Sequence, residues 1–254
     1  MSAADWRRVL DEAAELGVND VQLIGGEPTL HPDLPDLIRH ALGRGLAVEV
    51  YSNLVRVTGK LWEVFELPGV RLATSYYSAD AAQHDAVTGR RSHDRTVASI
   101  REALRRGIPL RVGMVDVDKG QEVDAAAAEL RMLGVEHVSV DRLRQVGRGV
   151  RDRAPGVDQL CGHCADGTLA VSPTGDVWLC PIARWLVIGN VRVASLGALH
   201  EAGAPLREAL SREFARIGTP GYKCPPDDAD PCGGPLCDPH LKCGPDDDKD
   251  KPKK

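Results

Sequence analysis

An amphipathic helix, a glycine and a short apolar strand follow one another repeatedly through the first part of this chain, and that order admits few folds. Trp6, Val9, Leu10, Ala13 and Leu16 fall at helical spacing, with Ser2 and Asp5 placed to form a capping box and Gly17 to stop the helix. The apolar run Val21-Gln22-Leu23-Ile24 follows and ends in Gly25-Gly26. Leu34, Leu37, Ile38, Ala41 and Leu42 mark a second helix, closed near Gly43 to Gly45, ahead of a strand from Leu46 to Tyr51. A shorter third helix is predicted over Lys60 to Glu66 and a weaker strand over Val70 to Ser75. Val97, Ile100 and Leu104 line a helix that Gly107 stops before a strand from Pro109 to Val117. Val123, Ala126, Leu130 and Leu133 then lead through Gly134 to a last strand, His137 to Asp141. Five apolar strands alternating with helices predict an α/β fold with a parallel sheet and right-handed crossovers. Such sheets gather their active residues at the C-terminal ends of the strands. A partial or closed barrel and an open doubly wound sheet both satisfy the pattern.

The 254 residues, 43% of them hydrophobic, supply one large domain plus a smaller appendage. No apolar run approaches the ~20 residues that span a bilayer, and Met1 to Asp5 carries no export signal, so the expectation is a cytoplasmic protein without membrane contact. A net charge of −5 excludes the basic field of a nucleic-acid binder. All seven cysteines come after residue 160, at Cys161, Cys164, Cys180, Cys224, Cys232, Cys237 and Cys243. Intrachain disulfides alone cannot consume an odd number, and in a reducing compartment such short spacings suit metal ligands. The chain therefore divides into a cysteine-free part, 1–155, a cysteine-rich part, 156–244, and a mixed-charge tail, 245–254, read as solvated and disordered.

The sharpest site signal is Gly25-Gly26-Glu27-Pro28, directly after a strand. Paired glycines let a ligand approach the backbone, and the neighbouring carboxylate can accept hydrogen bonds from an ammonium group. Pro28 biases Glu27 toward an extended backbone. The bland reading is a tight turn with a solvated glutamate. Among the cysteines, Thr168 to Cys180 reads as a two-stranded hairpin turning at Pro173-Thr174-Gly175, which returns Cys180 alongside Cys161 and Cys164. Thiolates on such loops hold iron–sulfur clusters, and Cys-x2-Cys suits zinc as well. The prolines among the last four cysteines predict an irregular coil, in which His163 upstream and His240 are further candidate ligands.

The segment from Val21 to Pro32 resembles the GGEP strand of radical S-adenosylmethionine (radical SAM) enzymes. Tyr51-Ser52-Asn53, Ser75 to Asp80 and Asp141 to Gly149 resemble later loops of that family, although Ser78 and Asp80 also read as ordinary turn residues and Arg144 and Arg148 as a solvated basic patch. Cys164, Gly175 and Cys180 match the opening of the family's SPASM extension, whereas the Cys224 to Cys243 gaps depart from it. The resemblance implies a partial (β/α) barrel of about five parallel strands with a small cysteine-rich hairpin-and-coil domain. It implies cofactor contacts at Gly25, Gly26, Glu27, Pro28, Asn53 and Ser78, and one or two auxiliary [4Fe-4S] clusters on the seven cysteines. It also implies an electron donor and a peptide or protein substrate modified through 5′-deoxyadenosyl radical hydrogen abstraction. The family's Cys-x3-Cys-x2-Cys is absent before Cys161. The expectation is thus a chain lacking its first strand and cluster loop, inactive or impaired as it stands. The alternative is a non-catalytic iron–sulfur or zinc accessory protein that binds a peptide.

Overall fold

A computed structural model describes residues 1–117, 120–160, 162 and 167–217. It opens with helix α1, Ala3–Glu15, whose Ser2–Asp5 capping box forms as expected and which ends at Gly17 with φ of 77°. The βα alternation then runs β1 (Asp20–Leu23), α2 (Leu34–Gly43), β2 (Ala47–Tyr51), α3 (Gly59–Phe65) and β3 (Val70–Tyr76). It continues with α4 (Ala81–Thr88), α5 (His93–Arg105), β4 (Leu110–Asp116), α6 (Val123–Met132) and β5 (His137–Arg142). The five strands are all parallel and lie in sequence order, β1-β2-β3-β4-β5. A doubly wound sheet reverses its strand order part-way, so this order selects the partial barrel over the open alternative. Within this alternation α4 escaped the periodicity: its apolar positions are too few to mark a face.

Val48, Val50, Leu72, Val112 and Met114 pack against Ile38, Phe65, Ile100 and Leu130 of the helices to make the main core. The intervening strand positions point the other way and include the polar Gln22, Glu49, Tyr51, Arg71 and Arg111. The inward face thus carries charge between small or apolar positions such as Ala73 and Val115, where uniformly apolar strands were expected.

Beyond β5 the predicted hairpin is present as β6 (Ala170–Val171) and β7 (Asp176–Trp178), and β8 (Val187–Asn190) adds a third antiparallel strand. Gly175 sits in the turn at φ of 94°, where a Cβ would lie 2.6 Å from Asn190 Oδ1, so glycine is required there. Helices α7 (Leu196–Ala202) and α8 (Ala204–Ile217) follow. Val9 and Ala13 of α1 share a core with Val177, Val191, Leu196 and Leu199. Arg8 donates to Val191 O at 2.7 Å and Leu196 N–H to Glu12 Oε2 at 2.6 Å, tying the first helix to the hairpin region.

Candidate active site

The C-terminal ends of the parallel strands carry the expected cluster of polar groups, and Glu27 is its centre. The residue is extended (φ −158°, ψ 107°), as the following proline dictates, and begins a 3-10 turn, Pro28–Leu30. Its Oε1 accepts from Thr29 N–H at 3.1 Å, Thr29 Oγ1 at 2.7 Å and Ser52 Oγ at 2.7 Å, while Oε2 accepts from Asn53 N–H at 2.9 Å. Three donors thus converge on Oε1 and one on Oε2. Half-buried Glu27 joins the β1 loop to the β2 loop rather than standing free in solvent. Gly25 and Gly26 lie exposed beside it, with nothing within 4 Å of where either Cβ would stand and no positive φ. Neither conformation nor internal crowding demands glycine at these positions, which leaves open backbone facing outward.

The β2 end is built under strain. Leu54 is fully buried at φ of 54°, a left-handed conformation that costs a non-glycine residue about 1–2 kcal/mol. Its N–H donates to Ser52 Oγ, and Thr96 Oγ1 holds Asn53 O at 3.1 Å. The Asn53 side chain accepts from Val55 N–H at 2.8 Å, and the residue is exposed. At the β3 end, Ser78 is buried and its hydroxyl accepts from Asp80 N–H at 3.0 Å, while Asp80 caps α4 through Gln83 N–H. Both residues act as turn residues here, with the Ser78 hydroxyl turned into the protein. At the β5 end Arg144 is not part of a solvated patch: it pairs with Asp141 at 2.9 Å and is largely buried.

Below this rim the inward face of the sheet holds a charged floor that the sequence reading passed over. Glu49 accepts two hydrogen bonds from Arg111, at 2.8 and 2.6 Å, and others from Arg71 and Gln22, while Arg71 also reaches Asp20. Arg111 pairs in register with Ala73, whose small side chain lets the guanidinium cross to Glu49 two strands away. Burial opposes ionisation of Glu49, but the hydrogen bonds and charge of Arg111, with Gln22 and Arg71, outweigh it and hold the carboxyl below its ordinary value. Arg111 also lies under the Tyr51 ring, 5.6 Å from its centroid, and the Tyr51 hydroxyl meets Ser75 Oγ at 2.9 Å. Burial pushes the Tyr51 phenol up. One charged residue inside each of β2, β3 and β4 (Glu49, Arg71 and Arg111) was the available signal.

Of the seven cysteines only Cys180 falls among the described residues. It is buried with Leu160, Leu179, Ala183, Leu210 and Phe214. Cys161, Cys164, Cys224, Cys232, Cys237 and Cys243, with His163 and His240, lie outside the described residues. Among the described residues no group of three or more His, Cys, Asp or Glu side chains could hold a metal ion. None of their helices is long and apolar enough to cross a membrane.

A parallel sheet in sequence order, with a glycine pair and a braced glutamate at the end of its edge strand, is the setting the family resemblance called for. The model of the radical SAM superfamily matches residues 1–133, just over half of the chain. The chain belongs to the radical SAM superfamily. Curated relatives include PqqA peptide cyclase of Streptomyces rochei, 29% identical over 227 residues, covering 72% of this chain and 61% of the relative. PqqA peptide cyclase of Xanthomonas campestris pv. campestris is 32% identical over 186 residues, covering 69% of this chain and 48% of the relative. The radical SAM chain thus spans roughly half to three-fifths of the length of these relatives. Among solved structures, Streptococcus suis SuiB bound to S-adenosylmethionine superposes with a TM-score of 0.62 at 15% identity, covering 83% of this chain and 60% of that one. Native anSMEcpe with bound AdoMet and Kp18Cys peptide gives 0.62 at 9% identity, covering 93% and 81%. At these identities the two structures establish the shared fold.

Proposed function

We propose that this chain is the cofactor-binding and cysteine-rich portion of a radical SAM enzyme that modifies a peptide or protein. The observation that carries the reading is the pairing of open glycine backbone at Gly25-Gly26 with a Glu27 carboxylate locked by four donors. Backbone polar groups at the glycines and at Pro28 would hold the methionine end of S-adenosylmethionine, Glu27 would keep the β1 and β2 loops in register, and Asn53 would face the ligand from the β2 end. Ser78 would act from behind, shaping the turn through Asp80. When bound and reduced, the cofactor supplies a hydrogen-abstracting carbon radical. The relatives named peptide cyclases and the neighbour bound to a peptide support a peptide substrate.

The cysteines at 161 to 243 would carry one or two auxiliary iron–sulfur clusters, in a unit of residues 156–244 set after a barrel of residues 1–155. No cysteine precedes Cys161, so the barrel as written offers no thiolate triad for the cluster that delivers the electron. The chain alone should therefore bind S-adenosylmethionine without cleaving it. Anaerobic reconstitution with iron and sulfide, reduction, and chromatography for 5′-deoxyadenosine test this. Product above the no-protein background would overturn it. A second reading is a non-catalytic accessory protein binding iron–sulfur or zinc together with a peptide, since the Cys-x2-Cys at Cys161 and Cys164 suits either metal. Metal and sulfide analysis separates the two metals, and a colourless zinc-containing sample would sink the cluster assignment.

A further inference from the structure

Gln121 lies in the β4–α6 loop, outside every motif considered so far, yet it joins two strand ends at the rim of the barrel. Strand pairing between β3 and β4 stops at Tyr76 and Met114. One step further, the Gln121 amide continues it: Nε2 donates to Tyr77 O at 2.8 Å and to Val115 O at 2.9 Å, while Oε1 accepts from Val117 N–H at 2.8 Å. Both amide protons and the amide oxygen are used, so the side chain behaves as a one-residue strand inserted between β3 and β4. Gln83, on α4, adds a second tie by donating from Nε2 to Gly120 O at 2.8 Å. Its backbone N–H is held by Asp80, whose own N–H is held by Ser78. The turn Tyr77-Ser78-Ala79-Asp80 is thereby clamped from both ends to the β4–α6 loop.

We infer that Gln121 is a positioning residue: it sets the β3–α4 turn at the height at which that turn meets the cofactor. The inference rests on the proposed cofactor site, and it assigns Gln121 no contact with the ligand. The chemistry demands a neutral amide of this length. Glutamate keeps the size but has no protons for the two carbonyls, methionine keeps the length but makes no hydrogen bond, and asparagine is one methylene short.

The test uses the full chain as Gln121→Met and Gln121→Glu, with Gln83→Ala as a milder variant that removes only the outer tie. Hydrogen exchange read by mass spectrometry compares residues 77–80 with Val48 to Val50 of the sheet, and equilibrium dialysis measures S-adenosylmethionine binding. Exchange at 77–80 is expected to rise roughly tenfold or more in the Gln121 variants, the change carried by one to two net hydrogen bonds, with the sheet unchanged. Binding should weaken by a similar factor, and Gln83→Ala should fall between. Unaltered exchange at 77–80, or a rise spread evenly over the sheet, overturns the inference. So does a loosened turn with undiminished binding. If the unsubstituted chain binds no S-adenosylmethionine, the cofactor reading and the positioning role fail together, and the exchange comparison still decides whether the clamp exists.

Discussion

Replacing Glu49 with glutamine removes the negative charge that Arg111 meets in the barrel floor. Glu49 is 3% exposed, and the Arg111 side chain 17%, so solvent screens the pair poorly. Arg71 keeps Asp20 after the substitution, but among the described residues Arg111 has only Glu49 as an acidic partner within 4 Å. Breaking a buried pair by removing one charge costs about 3–5 kcal/mol, because the other charge is stranded. Taking the lower figure, with about 2–4 °C per kcal/mol for a chain of this size, Glu49→Gln should lower the melting temperature by roughly 6–12 °C. A double variant, Glu49→Leu with Arg111→Leu, should recover most of that loss, since replacing both partners by apolar residues is often close to neutral. The pH dependence has a definite sign. The folded carboxyl titrates below its ordinary value near 4.5, so on acidification the unfolded chain takes up the proton first. The pair's contribution is full above about 4.5 and disappears as the pH falls through the lower folded value, so Glu49→Gln should flatten that acid limb. Urea unfolding across this range, with calorimetry at neutral pH, measures both effects. A loss under about 1 kcal/mol, or a double variant no more stable than the sum of the single ones, would refute a buried, mutually dependent floor.

Three further outcomes follow from the rim. Glu27→Gln replaces one acceptor oxygen by a donor facing other donors, so S-adenosylmethionine binding should fall by at least about tenfold while stability drops by about 1–3 kcal/mol; dialysis and urea unfolding read the two, and unchanged affinity counts against Glu27 as the tie between loops. Gly26→Ala meets no atom within 4 Å, so its melting temperature should hold within a few degrees while binding weakens; equal binding would mean that the open backbone faces no ligand. Leu54→Gly relieves about 1–2 kcal/mol of backbone strain but empties a fully buried leucine site worth about 2–5 kcal/mol, so the net effect in urea unfolding should be destabilising. A stabilised variant would show that the strain outweighs the packing.

Most of the parallel sheet was legible because its signals are local. Helical spacing from Trp6 to Leu16, the Ser2–Asp5 cap, the Gly17 stop and the Gly175 turn each depend on residues a few positions apart, and each is found in the structure. What lay beyond reach depends on pairing across distance. Arg111 reads as one polar residue in an apolar run until register sets it beside Ala73 and within reach of Glu49. Gln121 reads as a loop residue until the carbonyl of Tyr77 arrives beside it. Helices α7 and α8 correct the expected hairpin-and-coil domain: α7 is one short stretch of seven residues, and both helices are held by apolar contacts with the hairpin region and α1 rather than by local signals alone.

The sequence by itself determined the βα order, the position of the glycine pair at a strand end and the confinement of every cysteine to the region after residue 160. Tertiary structure alone decided that the strands run in sequence order, that their inward face is charged, and that the Glu27 carboxylate is engaged by the protein. The reason is physical. Periodicity and capping report the geometry of one element, whereas the partners of a charge are set by which strands lie side by side and in what register.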